Sequence, residues 1–289
     1  MIHDNVDKAR KSGGCPSKGN PEMAARQQKE EQAIKTNLAQ IKHKILILSG
    51  KGGVGKSSVS ANLAASLSKK GYKTGLMDVD VHGPSIAHML GLTEILDISE
   101  KKLLLPKQVN KNLKVVSVQA LMQDKDQAII WRGPAKNGMI RQFISSVDWG
   151  ELDFLIIDAP PGTGDEPLTV VQTIPEALAV IVTTPQEVAL SDVRKSISFC
   201  KTVSLKTIGL VENMAGLKCP HCNETIDLFS HGGGEKTAKN QGLKFLGSIP
   251  FDLRVVVSGD SGMPLMFQDE QSAFTEAFDN VVDNIIKAL

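Results

Sequence analysis

Short apolar runs alternate with stretches of helical spacing along most of the chain. The runs are "KILILSG" (44–50), "KTGLMDVD" (73–80), "DFLIIDAP" (153–160), "EALAVIVTTP" (176–185), "TIGLVENM" (207–214) and "KFLGSIP" (244–250). Short, continuous apolar character bounded by turn residues predicts strands buried on both faces of a sheet. Ser57–Lys70 has helical spacing and stops at Gly71, a natural residue just past a helix end. "VALSDVRKSISFCKTV" (188–203) reads as a further helix. The alternation predicts an α/β fold, a mostly parallel, twisted sheet with helices on both faces.

Residues 1–42 break this pattern. They are polar and charged, with Gly and Pro in the first half and a possible polar helix from about Pro21. Such a segment cannot bury a core alone, so it is read as a flexible or loosely docked arm on a domain spanning 43–289.

Composition narrows the function classes. A hydrophobic share of 41% is enough for a core without staples. A net charge of +1 gives no bulk attraction to nucleic acid or a membrane surface, and 4% aromatics leaves little for stacking platforms. The N-terminus lacks a signal-type apolar run and no segment approaches a membrane span, so a cytoplasmic protein is expected.

The main chemical motif is "SGKGGVGKSS" (49–58), which fits G-x-x-x-x-G-K-[ST] from Gly50 to Ser57 with a strand before and a helix after. Gly50, Gly52, Gly53 and Gly55 let the loop, with Lys51 and Val54, turn its N–H groups toward phosphate. The start of the following helix, at Ser57 and Ser58, adds a dipole favourable to an anion. Lys56 is placed to reach the β- and γ-phosphates of ATP, and the Ser57 hydroxyl to ligate Mg²⁺. Asp158 ends an apolar strand, the position of a magnesium-holding carboxylate. Asp78 and Asp80 sit two apart on one side of a strand end; Asp78 suits metal support or a turn equally. Asp165 fits a phosphate-sensing turn or a helix N-cap.

The second motif is "LKCPHCNE" (217–224). In a reducing compartment Cys219 and Cys222 are metal ligands or redox thiols before they are a disulfide. Alone, the segment reads first as half a zinc ribbon. His221, between the cysteines, is read as pointing away. Cys200 falls in an amphipathic helix, where it packs as a small hydrophobe.

The pattern K-G-G-x-G-K-S resembles the deviant Walker A loop of the MinD/ParA and nitrogenase iron-protein class. That resemblance implies that Lys51 reaches across a dimer to the partner's nucleotide and that Asp80 orients the attacking water. It also puts Asn213 and the "GSIPFD" segment against adenine; from chemistry alone, Lys51 is a solvated loop lysine and Asn213 a buried amide satisfied by backbone. Taken in order, "DVDVHGPS", "WRGP", "DFLIIDAPPGTGDE", "LVENMAG", the C-x-x-C and "LGSIPFD" resemble the Mrp-type (ApbC) P-loop ATPases, iron–sulfur cluster carriers, over residues 43–289. This implies a homodimer that hydrolyses ATP and bridges one [4Fe–4S] cluster between two Cys219–Cys222 pairs for transfer to apo-proteins. Four thiolates normally hold such a cluster, and one chain offers two at this spacing. Some branches carry a further cysteine-rich motif in the arm; here the arm has Cys15 alone.

The rival is a MinD/ParA-like positioning ATPase with a structural zinc site. A membrane-binding member would end in a basic amphipathic helix. Here Phe274, Phe278, Val281 and Ile285 form an apolar face and Lys287 is the only base, which reads as core or dimer packing.

Overall fold

The computed structural model describes residues 21–289 except 81–82, 93, 95, 101–102, 119–132, 220, 223, 230–231 and 269–270. Cys15, His82, Trp131 and Arg132 lie outside the described residues. No described helix is long and apolar enough to cross a membrane.

The apolar runs form the sheet. β1 (Ile41–Ser49), β2 (Thr74–Asp78), β5 (Leu152–Asp158), β6 (Leu178–Thr183), β7 (Thr207–Lys218) and β9 (Phe245–Phe251) are its long parallel strands. β3 (Lys107–Asn110), β4 (Leu113–Ser117) and β8 (Thr225–Ile226) complete the nine strands found among the described residues. The order is β3-β4-β2-β5-β1-β6-β7-β8, with β9 also on β7; β3 and β8 run antiparallel at the margins. The strand predicted from Lys44 starts at Ile41, where Ile41 pairs with Leu152.

Side chains on successive strand residues enter opposite cores. On one face, Ile45, Ile47, Leu76 and Ile156 pack with α2 (Lys56–Lys69), α3 (Ile86–Met89) and α9 (Ala273–Lys287). On the other, Leu46, Leu48, Met77 and Leu155 pack with α4 (Gly133–Ser146), α5 (Asp165–Thr173) and α6 (Glu187–Thr202). Phe274, Phe278, Val281 and Ile285 are buried, so the C-terminal apolar face is core. Cys200 is buried as well, and burial pushes its thiol pKa up.

The polar helix expected from Pro21 is α1 (Pro21–Ala39). Its second half docks: Ile34 and Leu38 are buried in the same core as α4, and the Asn37 amide donates to the carbonyls of Ser145 and Val147. Leu38→Ala is expected to destabilise the chain by about 2–3 kcal/mol, read as a lower urea midpoint. A loss below about 0.5 kcal/mol, the size of a surface change, would show that α1 does not help hold the fold.

α7 (Gly233–Gln241) and α8 (Leu253–Asp260) flank β9. The carboxylate of Asp252 caps α8 by accepting from the Arg254 N–H at 2.9 Å.

Candidate functional site

The phosphate loop joins β1 to α2 at the carboxyl ends of the parallel strands. Gly50 lies against α6, where an added Cβ would sit 2.4 Å from the Asp192 backbone. Gly55 has φ 79°, and a Cβ there would meet the Asn213 amide nitrogen at 2.3 Å. Both positions require glycine. Gly55 precedes α2 without a side-chain cap, so the first N–H groups of the helix are left to other acceptors.

The charged centre is built by strand register. Parallel pairing sets Asp78 of β2 beside Asp158 of β5, and Ile47 of β1 beside Asp158. Lys56 Nζ lies 2.8 Å from Asp158 Oδ1, both side chains nearly fully buried. Ser57 donates to Asp158 Oδ2 at 2.6 Å and Ser60 to Oδ1 at 2.7 Å. Asp78 accepts from the N–H of Asp80 at 3.1 Å, the Ser117 hydroxyl at 3.0 Å and the N–H of Ile86 at 3.4 Å. Its carboxylate thus ties down the turn into α3 as well as facing Asp158. Asp80 is buried and accepts from the Gly83 N–H at 3.2 Å.

Burial, then the neighbouring Asp158 charge, push the Asp78 pKa from 3.8 up to about 8, while the Asp80 N–H, Lys56 and the Ser117 hydroxyl pull against them. At neutral pH Asp78 therefore keeps its proton and the Asp158 carboxylate is balanced by Lys56. A hard divalent cation such as Mg²⁺, beside the Ser57 hydroxyl, would supply the charge that lets both carboxylates ionise. A raised carboxyl pKa means the folded chain holds the proton longer than the unfolded one. Its stabilising effect is full below the ordinary value of 3.8 and is lost as pH rises through about 8. Without nucleotide or magnesium, the melting midpoint of wild type should fall relative to that of Asp78→Asn across this window. Parallel pH profiles would contradict the shift.

Asn213, on β7, donates to the Val54 carbonyl at 2.9 Å and lines a cavity of about 240 Å³ with Ser58, Met214, Pro250, Phe251 and Val256. The amide is thus buried and satisfied by backbone, as its chemistry alone suggests, and it borders this cavity. Lys51 is half-buried and donates to Gln186 Oε1 at 3.4 Å, at the N-cap of α6. Asp165 is the first residue of α5 and the cap position belongs to Gly164, which corrects the N-cap reading of Asp165.

β7 continues past the cavity to Lys218 and turns back as β8. Leu217 pairs with Ile226 and Lys218 with Thr225, and the Cys219 N–H donates to the Glu224 carbonyl at 2.9 Å. Cys219 and Cys222 stand at this hairpin turn, half-buried and exposed respectively, and both are free thiols. Hydrogen bonds from the Cys222 and His221 N–H groups hold the Cys219 pKa below the ordinary thiol value. His221 is exposed. Among the described residues, no group of three or more His, Cys, Asp or Glu side chains is placed to hold a metal ion.

A family model described as ParA, NUBPL iron-transfer P-loop NTPase, matches residues 40–286. The chain belongs to this NTPase family. An iron–sulfur cluster carrier protein of Methanocaldococcus jannaschii is 46% identical over 275 residues, covering 94% of each chain. A cytosolic Fe-S cluster assembly factor NUBP2 homolog of Dictyostelium discoideum is 49% identical over 251 residues, 84% of this chain and 94% of the relative. Among solved structures, an Archaeoglobus fulgidus nucleotide-binding protein in complex with ADP is 39% identical, with TM-score 0.73 over 86% of this chain and 96% of its own. The Pyrococcus furiosus cell division ATPase MinD, at 22% identity and TM-score 0.63 over 86% and 99%, shares the fold. Nucleotide hydrolysis, in general terms, comes with membership of the NTPase family.

The sequence reading of this NTPase missed three contacts. Ser60 lies one helical turn after Lys56 and could have been found from that spacing. Ser117 and Gln186 carry no local signal, because strand β4 and the β6–α6 turn bring them in.

Proposed function

We propose that the chain is an ATP-hydrolysing carrier that binds an iron–sulfur cluster between two subunits and passes it to apo-proteins. The observation that carries this is the free thiol pair, Cys219 and Cys222, at the end of the same strand that bears Asn213 of the nucleotide cavity. Two thiols per chain make half the ligand set of a [4Fe–4S] cargo, and a two-fold dimer completes it. The names of the relatives support the cargo class, and a cytosolic setting accords with those called cytosolic assembly factors.

The side-chain roles follow from position. Lys56 contacts the β- and γ-phosphates, and the loop N–H groups of 50–58 hold the phosphate chain. Ser57 and Asp158 would hold Mg²⁺, with Asp78 keeping the turn behind them in place. Mg²⁺ there would neutralise charge on the phosphate oxygens. Asp80 orients the water for in-line attack, Lys51 leaves Gln186 to reach the partner's nucleotide, and Asn213 borders the base. Catalysis here is positioning and charge compensation, and turnover is slow. Every proposed ligand lies within 43–289, and the described residues before it serve the fold through the buried Ile34, Leu38 and Ile41.

The test is anaerobic reconstitution with iron and sulfide, read by visible absorption, by iron and sulfide content and by sedimentation. The expected result is about one four-iron cluster per two chains. A colourless chain that takes up zinc and never iron and sulfide would replace this reading with a structural zinc site in a positioning ATPase.

A further inference from the structure

Between Asn213 at the nucleotide cavity and Cys219 at the hairpin, β7 is not a regular strand. Asn213 pairs with Ile249 and Leu217 with Phe251, so four steps along β7 face two along β9. The excess is absorbed by two left-handed residues, Met214 at φ 58° and Gly216 at φ 80°. A non-glycine residue in that region is held there by its surroundings and marks stored strain. For Met214 the surroundings are the nucleotide site: its side chain lines the cavity, and its Cε would lie 3.3 Å from a Cβ on Gly55 of the phosphate loop.

A second structure spans the same gap. The nucleotide cavity and a neighbouring one of about 620 Å³, lined by Leu217, Lys218 and Cys219, share the walls Pro250, Phe251, Asp252 and Phe274. Phe251 thus borders both cavities and is itself the strand partner of Leu217, two positions before Cys219.

We propose that Met214 and Gly216 are positioning residues, forming a two-state pivot through which nucleotide in the cavity sets the placement of the Cys219–Cys222 pair. A base in the cavity touches Met214 and changes the support that keeps it left-handed. The chain beyond it turns about Gly216, and the hairpin moves with it. Coupling of this kind is reciprocal: metal or cluster on the thiols biases the pivot and alters nucleotide affinity by the same factor. This deepens the carrier reading, because it gives the ATP site a physical handle on cargo.

The experiment uses the full-length chain with reduced, metal-free thiols, so its outcome does not depend on cluster binding. Alkylation of Cys219 and Cys222 by iodoacetamide is timed by mass spectrometry, with and without a saturating non-hydrolysable ATP analogue. In wild type the analogue is expected to change the rate by about fivefold or more. Gly216→Ala places a methyl 3.1 Å from Thr225 Cγ2 at a left-handed position. It should still bind the analogue, with an affinity shifted by no more than the coupling factor, and lose the rate change at saturation. If Gly216→Ala does not fold, Met214→Gly, which releases the strain, should fold and lose the response at saturating analogue. Equal rates in wild type with and without analogue overturn the proposal. So does a response that persists in folded Gly216→Ala or Met214→Gly, as a dimer that merely shields the thiols would give.

Discussion

Lys56→Ala is expected to lower ATP turnover by about a hundred- to a thousandfold, the usual loss when one fixed charge aimed at a developing anion is removed. Lys56 is nearly fully buried and its ammonium lies 2.8 Å from Asp158. In the resting site it compensates a carboxylate; with ATP present, the proposed role turns the same charge toward phosphate oxygens. The variant therefore loses both functions. Nucleotide affinity should weaken, and Asp78 and Asp158 should be left with no lysine between them. Stability should suffer less than the usual loss of about 3–5 kcal/mol for breaking a buried pair, because Asp78 can keep a proton and spare the site one charge. Steady-state phosphate release, alongside analogue binding, reads the result. Lys42→Ala, which removes an exposed ion pair with Asp153, serves as the control and should leave turnover unchanged. Full activity in Lys56→Ala would sink the phosphate-loop assignment.

The second large effect concerns cargo. Cys219→Ser and Cys222→Ser should each reduce iron and sulfide retained after anaerobic reconstitution to about a tenth or less, since a cluster bridged by four thiolates would lose two by symmetry. ATP hydrolysis should be largely retained, because neither cysteine lines the cavity at Asn213 or touches the phosphate loop's Lys56–Asp158 pair. Cys200→Ser should retain the cluster, because that thiol is enclosed in the core. Retention of the cluster by both hairpin variants would place the binding site elsewhere.

The parts of this molecule legible in the sequence are those made locally. The central strands are continuous apolar runs because both faces are covered, and the phosphate loop announces itself because one turn of backbone makes it. The edge of the sheet was harder to see. β3 reads "KQVN", half-buried and polar, and β8 is two residues held only by its hairpin. α8 hides for the opposite reason: Leu253, Val256 and Val257 are apolar yet exposed, so no buried stripe marks the helix. The strand predicted over 207–214 runs on to Lys218, because the chain bends at Met214 and Gly216 and then resumes pairing, which local apolar pattern does not carry. At the site, each carboxylate could be nominated from its strand end. That Asp78 faces Asp158 depends on β2 lying next to β5, a matter of strand order that local pattern does not carry.

The exposed hairpin has a consequence for the lifetime of the protein. A half-buried thiol whose pKa is held down by N–H groups is more often thiolate than an ordinary cysteine, and thiolates are what oxidants attack. Its neighbour at the turn, Cys222, is open to solvent and is poised to trap a sulfenic acid as a disulfide. Cys200, enclosed and pushed toward the neutral thiol, is protected from the same fate. On the proposed function, the chain without its cluster is thus the perishable form, and a bound cluster would double as a shield for the residues that hold it.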